Sequence, residues 1–193
     1  MKLPYTPGMN RIIPLALLLA AASAYAEHYP DGYAEDRAEI VDLQARYVAA
    51  MDYLDADGYA AVFAKDGVLD WARGLVEGRE AIREFMATGT YDLTQGAAEA
   101  KTPDGRNWPS TVRHLITNQV ITVDGDKAKA VTYWIQFNNN QKRDQVEWML
   151  FGTWYDEFVK IDGEWLFSLH RIHNEGNQRT FTAGGENPTY QLD

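Results

Sequence analysis

Arg46-Tyr47-Val48-Ala49-Ala50-Met51-Asp52-Tyr53-Leu54-Asp55 closes the first long periodic segment of the chain, and its reading decides the fold. Apolar side chains recur at Ile40, Leu43, Tyr47, Met51 and Leu54. Those steps of three and four predict an amphipathic helix over 34–54 that buries one face. Asp36 and Glu39 stand in its first turns, where negative charge suits the helix dipole. At its far end two acids compete for attention. On a helical wheel Asp55 falls near the apolar stripe, while Asp52 lies at the edge, about 110° from the centre. Helix ends fray, so the wheel discriminates least there.

Beyond Asp57-Gly58, residues 59–64 predict a second short helix, Asp66-Gly67 a turn, 68–71 a short strand and 78–87 a third helix. Residues 89–110 carry Gly89, Gly96, Pro103, Gly105 and Pro109 without sustained periodicity. A loop of that length is either a functional lid or a segment without fixed structure. The remainder reads as β. A strand over 112–123 turns at Asp124-Gly125 into a returning strand over 127–137, and a polar stretch, 138–145, follows. A second hairpin, 146–160 and 164–174, turns at Asp162-Gly163. Helices first and an antiparallel meander afterwards predict one α+β domain over 34–175, with a C-terminal tail over 176–193. A sheet bent around the first helix would enclose a cavity.

Ahead of this domain, Arg11 precedes an apolar run, 12–22, and Ala24-Tyr25-Ala26 supplies a cleavage site. This is the order of a secretory signal peptide over 1–26, and the run is too short for a bilayer span, which needs about 20 residues. Met9 is an alternative start. Cleavage would take 26 of 193 residues and leave 167. Lys2 and Arg11 would leave with it and no acid would, so 18 bases become 16 against 28 acids, a formal charge of −12. Such an acidic chain, without a run of Lys or Arg, is a poor partner for nucleic acid or, once the signal is gone, for membrane. Zero cysteines exclude disulfides, thiolate catalysis and zinc–sulfur sites. Export without disulfides fits a periplasmic or secreted protein.

Period-two alternation places His114, Ile116, Asn118 and Val120 on one strand face, plausible as an interior face. A core histidine satisfied by backbone and a buried base are both compatible with that. A carboxylate beside such an imidazole would fix its tautomer and stabilise the imidazolium. Asp52 facing His114 across an apolar pocket is the pairing we expect. His170 and His173 cannot both face inward on a regular strand. A metal site of Asp52, His114 and His170 has no short ligand motif behind it, and none is expected. The six tryptophans suit either core packing or the walls of a pocket for a flat apolar ligand. No serine nucleophile elbow, phosphate-binding glycine loop or dinucleotide fingerprint occurs, so no cofactor is expected.

Ile40-Val41-Asp42-Leu43-Gln44-Ala45-Arg46-Tyr47, Met51-Asp52-Tyr53-Leu54-Asp55, Phe63-Ala64-Lys65-Asp66-Gly67 and Gly78-Arg79-Glu80-Ala81-Ile82 form one pattern with Arg113-His114, Thr117-Asn118, Tyr155-Asp156 and Asp162-Gly163-Glu164-Trp165. This pattern resembles the SnoaL-like branch of the nuclear transport factor 2-like superfamily, which includes scytalone dehydratase, bile-acid 7α-dehydratase, hexachlorocyclohexane dehydrochlorinase and ketosteroid isomerase. The resemblance implies a cone-shaped, curved antiparallel sheet whose helices enclose a pocket. It implies an Asp–His pair at Asp52 and His114, favouring Asp52 over Asp55, with Tyr47 matching the tyrosine that the bile-acid enzyme uses. It departs from scytalone dehydratase at Met51 and Trp71, where tyrosines are expected, and near Asn138, where a second histidine is expected. The expected activity is that of a cofactor-free lyase or isomerase on a small apolar, cyclic molecule. His114 would take a proton from carbon, Asp52 would orient it, and Tyr47 would bond a substrate oxygen or leaving group. Trp71, Trp134, Phe137 and Asn138 would shape the pocket. A non-catalytic small-molecule-binding protein, or a subunit of a homo-oligomer, is the alternative.

Overall fold

A computed structural model describes residues 29–88, 112–138, 147–176 and 186–192, with the side chains of 138 and 147–149 left aside. Contacts divide the chain into two units, Met1–Asp31 and Gly32–Asp193, and every element below belongs to the second. The expected signal peptide and the expected lid over 89–110 lie outside the described residues. Among the described residues no helix is long and apolar enough to cross a membrane.

Helix α1 spans Tyr33–Asp52 and buries Ile40, Leu43, Gln44, Tyr47, Ala50, Met51 and Asp52. It stops two residues earlier than the periodicity predicts. Leu54 adopts a left-handed φ of 57°. The Leu54 N–H then donates to the Met51 carbonyl and the Asp55 N–H to the Ala50 carbonyl. This is the Schellman closure of a helix, here built on leucine where glycine is usual. The turn carries Asp55 off the wheel altogether. Its side chain caps α2, Ala56–Ala61, by accepting from the Gly58 N–H. The short helix therefore sits three residues earlier than the sequence reading places it.

Strand β1, Phe63–Trp71, pairs with β2, Gly74–Glu77, a short edge strand that the sequence reading misses. The expected turn at Asp66-Gly67 lies inside β1, where the register against its other neighbour slips between Phe63 and Val68. Glycine is required there, since a Cβ at Gly67 would meet the Phe167 carbonyl oxygen at 2.8 Å. Helix α3, Arg79–Ala87, follows. Strands β3, Val112–Asp124, β4, Lys127–Asn138, β5, Glu147–Ile161, and β6, Glu164–Asn174, then form the antiparallel meander. A 3-10 turn at Pro188–Leu192 ends the described chain.

The sheet order is β2-β1-β6-β5-β4-β3. All pairings are antiparallel except one: β1 runs parallel to β6, where the first hairpin meets the end of the meander. One helix side chain shows how strongly this sheet bends. Gln44 of α1 hydrogen-bonds to Gln119 of β3, Thr132 of β4 and Asp156 of β5. One turn on, Tyr47 packs against Trp154 of β5 and His170 of β6. Four flat strands would cover about 14 Å, more than the roughly 10–12 Å width of one helix. The sheet must therefore curl around α1. The interior holds Phe63, Trp154, Phe158 and Phe167 packed on the helix residues Ile40, Leu43 and Tyr47. Each such fully buried side chain favours the fold by about 1.5–3 kcal/mol.

Candidate active site

Helix α1 delivers Asp52 from its last turn, and β3 delivers His114 from near its start. The two side chains meet inside the protein, 3% and 6% exposed. Asp52 Oδ1 lies 2.6 Å from His114 Nδ1, and Asp52 Oδ2 accepts the His114 backbone N–H at 3.0 Å. A single carboxylate thus grips the same residue twice. The backbone bond fixes where the strand sits, and the ring bond fixes how the imidazole is turned. A carboxylate can only accept, so the neutral ring carries its proton on Nδ1 and presents Nε2 as its basic atom.

Nε2 faces Gln136 of β4, with the amide oxygen 3.2 Å away. A Gln amide can offer either its oxygen or its NH2 group. It therefore matches a neutral Nε2 by donating and a protonated one by accepting. Gln136 pairs directly with His114 across the β3–β4 ladder, which explains the contact. The sequence reading misses it, although two-residue alternation from Trp134 would have pointed to position 136. Arg113 stacks its guanidinium over the Tyr53 ring at 4.6 Å and reaches the Asp52 carbonyl at 3.5 Å. A cation there suits the negative end of α1.

Trp134 lines the same interior face, its ring centroid 6.2 Å from that of His114. Its indole N–H donates across β5 to the His173 carbonyl at 3.3 Å. Gly152 of β5 permits this crossing, since a Cβ there would collide with that carbonyl and lie 2.9 Å from the indole nitrogen.

Other expected members of the site lie elsewhere. Tyr47 is fully buried with its hydroxyl 2.9 Å from that of Tyr59 and its ring centroid 4.4 Å from that of His170. Its ring packs on a second histidine, His170, because its long side chain points back toward the helix N-terminus. Phe137 pairs with Arg113 across the β3–β4 ladder, one step beyond the Gln136 that faces His114, and the register against β5 slips between Gln136 and Phe137. Trp71 lies at the end of β1, edge-on to Phe85 of α3 at 4.9 Å. It borders a cleft of about 560 Å³ shared with Tyr155, His173 and Asn174. Asn138 joins the ladder through its backbone, opposite Val112 and Glu147, and its side chain lies outside the described residues.

The expected interior face of β3 holds at His114 and Ile116, which packs against the core, and fails from Asn118. Asn118 takes a left-handed φ of 54° and the register slips between Thr117 and Val120. The bulge reverses the alternation, so Val120 is exposed and Ile121 buried. It also turns Gln119 inward, where its side-chain NH2 donates to Gln44 at 2.6 Å. Of the two C-terminal histidines, His170 is buried and His173 exposed. His170 Nδ1 lies 2.7 Å from Asp156 Oδ1, a second buried Asp–His pair that the sequence reading does not anticipate. Among the described residues no group of three or more His, Cys, Asp or Glu is arranged to hold a metal ion.

The family model for the SnoaL-like domain matches residues 32–171. The chain belongs to the SnoaL-like family. Solved structures agree on the fold. A cystatin-like-fold protein of unknown function from Nostoc punctiforme is 26% identical with a TM-score of 0.60, over 76% of this chain and 96% of that one. A scytalone dehydratase-like protein from Novosphingobium aromaticivorans is 17% identical, TM-score 0.56, over 78% and 93%. A type 2 hexachlorocyclohexane dehydrochlorinase is also 17% identical, TM-score 0.58, over 80% and 95%. At the last two identities the likeness concerns the fold alone. No curated protein matches the sequence. In this SnoaL-like domain Asp52 and His114 come from elements 62 positions apart, so only the closed fold creates that pair, whereas Asp156 and His170 face each other within the β5–β6 hairpin.

Proposed function

We propose that the protein is a lyase or isomerase of the dehydratase type, acting on a small apolar, cyclic substrate by removing a proton from carbon. The observation that carries this reading is the two-point grip of Asp52 on His114, at 2.6 Å and 3.0 Å. It leaves Nε2 as a fixed base in a buried site. In an elimination, Nε2 takes the proton. The C–H electron pair becomes the new double bond, and the group on the neighbouring carbon departs with its own bonding pair. In an isomerisation the proton returns to a different carbon. Asp52 stabilises the imidazolium in both cases, and the Gln136 amide turns to accept from the newly formed Nε2–H. The names of two structural neighbours, a scytalone dehydratase-like protein and a hexachlorocyclohexane dehydrochlorinase, fit an elimination and support that class.

One feature favours a second reading. Gln136 already occupies Nε2, so a carrier that binds a small molecule without turning it over would look the same. Solvent-deuterium exchange separates the two. With a bound cyclic ketone, the enzyme exchanges a carbon-bound proton next to the carbonyl. His114→Gln and Asp52→Asn each remove most of that exchange, and the double variant is little worse than either, because the two groups act as a unit. Binding without exchange by the wild type would leave only the carrier.

We further propose that the protein is exported and processed after Ala26, working as a soluble periplasmic or secreted domain. Intact mass of the exported form should correspond to a chain beginning at Glu27. Retention of residues 1–26 in that fraction would refute the processing.

A further inference from the structure

Strands β3–β6 have two faces, and α1 covers only one of them. His114, Trp134 and Trp154 are buried on the helix side, so by alternation Leu115, Tyr133, Ile135 and Phe151 point the other way. Leu115, Ile135 and Phe151 form one row across the β3–β4–β5 ladder, and Tyr133 stands in the row beside it. Val120, turned outward by the bulge, extends the patch opposite Val131. Leu115 is 54% exposed, Phe151 47%, Tyr133 42% and Val120 42%. Single exposed apolar side chains are ordinary, but a contiguous patch of them marks a surface that another body covers. The chain covers one end of this face itself. The 3-10 turn at Pro188–Leu192 packs on β3 and β4, where Thr122 Oγ1 donates to the Leu192 carbonyl at 3.5 Å.

Charge and size both select the occupant of the rest. The facing stretches 115–120, 131–135 and 151–155 contain no charged residue, although 24% of the chain is charged. The charges that border the patch are matched: Lys129 stands opposite Glu157 on the β4–β5 ladder, and Arg171 binds Asp70 at 2.8 Å. Glu175, held by Thr153 Oγ1 at 2.7 Å, adds one acid on the β6 side. The face is therefore close to neutral on a chain whose formal charge is −10. Two copies repel each other over most of their surface and can approach here. A basic partner would be drawn instead to the acidic remainder, and an anionic membrane or nucleic acid needs a cationic face. Four strands of 11–15 residues present a face of roughly 800 Å², which is what each partner gives to a standard interface.

We infer that two copies of the chain associate through this outer sheet face, as a symmetric pair centred on Leu115, Tyr133 and Phe151. A two-fold contact sets one patch against itself, which an uncharged centre permits. The patch shares its strands with the candidate site: Leu115 follows His114, and Ile135 stands between Trp134 and Gln136. A docked copy braces the strands that carry the proposed base and leaves the base itself on the other face.

Sedimentation equilibrium of the purified protein at micromolar concentration should give twice the mass of the chain. Phe151→Lys and Tyr133→Lys should each weaken the association by at least about a hundredfold, since each sets like charges against one another in a desolvated contact. Both side chains are exposed in the single chain, so both variants should keep the far-UV spectrum of the wild type. Leu75→Lys, on the edge strand β2, should leave the association unchanged. A second measurement needs no variant. Leu115 and Leu75 are similarly exposed in the single chain, at 54% and 61%. In the wild-type protein a dissolved paramagnetic reagent should broaden the methyl resonances of Leu75 and spare those of Leu115, and this decides the matter if the lysine variants fail to fold. A protein that stays monomeric at its highest soluble concentration overturns the inference, even if the face then captures a different protein. So does a dimer that survives both lysine substitutions, or a Leu115 as open to the reagent as Leu75.

Discussion

Asp52 accepts two hydrogen bonds from one residue in a buried setting, so the consequence of removing it can be apportioned. Alanine leaves both the His114 backbone N–H and Nδ1 unpaired, at about 1–3 kcal/mol each, or about 2–6 kcal/mol together. Asparagine keeps one oxygen and should lose about half as much. Urea unfolding of the two variants measures this order, and equal losses would mean that one of the bonds contributes nothing. A different acid responds to pH. The carboxyl of Asp36 is held below its ordinary 3.8, chiefly by the Lys160 ammonium that donates to it at 2.7 Å. Partial burial opposes this, while the Trp165 indole N–H and the charge of Lys160 assist. Because the folded value is depressed, the associated stability is present above about pH 4 and disappears as pH falls through the folded value. Lys160→Met should therefore raise the titration midpoint of Asp36 toward its ordinary value, as followed by NMR. It should also reduce the acid sensitivity of folding below pH 4. The pair is partly solvated, so the effect should shrink in high salt.

At the scale of elements, two junctions aim the site. The first is the α1–α2 corner, where left-handed Leu54 ends one helix and Asp55 caps the next. Asp55→Ala should cost about 0.5–2 kcal/mol with little effect on the Asp52–His114 distance, because the Schellman bonds closing α1 come from the backbone. The second is the passage of Trp134 over Gly152. Gly152→Ala puts a methyl group against the His173 carbonyl, and packing strain of about 1–3 kcal/mol should follow. The indole N–H resonance of Trp134 should shift as its bond to that carbonyl breaks. An unchanged indole resonance would show that β5 and β6 part without disturbing the wall beside His114. The helix and the four meander strands were legible from spacing and turns, whereas the parity error on β3 came from a bulge. Nothing in Thr117-Asn118-Gln119 announces that Asn118 will turn left-handed, because asparagine there is equally at home in a regular loop.

Across the molecule, curvature distributes stability unevenly. Strands β4 and β5 are flanked on both sides and covered by α1, while β2 is a four-residue edge with mostly exposed side chains. Native-state hydrogen exchange should be slowest at Trp134, Trp154 and Asp156 and faster by orders of magnitude at Leu75 and Val76. Comparable protection at β2 would mean that the edge is covered by something else. By itself the sequence determined the amphipathic helix, the order of elements, the α+β class and the residue types from which an Asp–His base can be made. Those are consequences of local periodicity and turn chemistry, which act over a few residues. The tertiary structure decided which acid meets which histidine. It paired Asp52 with His114 across 62 positions and set Tyr47 of α1 against His170 of β6. Such pairings depend on where helix α1 stops, where the strands slip register and how far the sheet bends. Each is set by the balance of packing over the whole interior, which no short stretch of sequence contains.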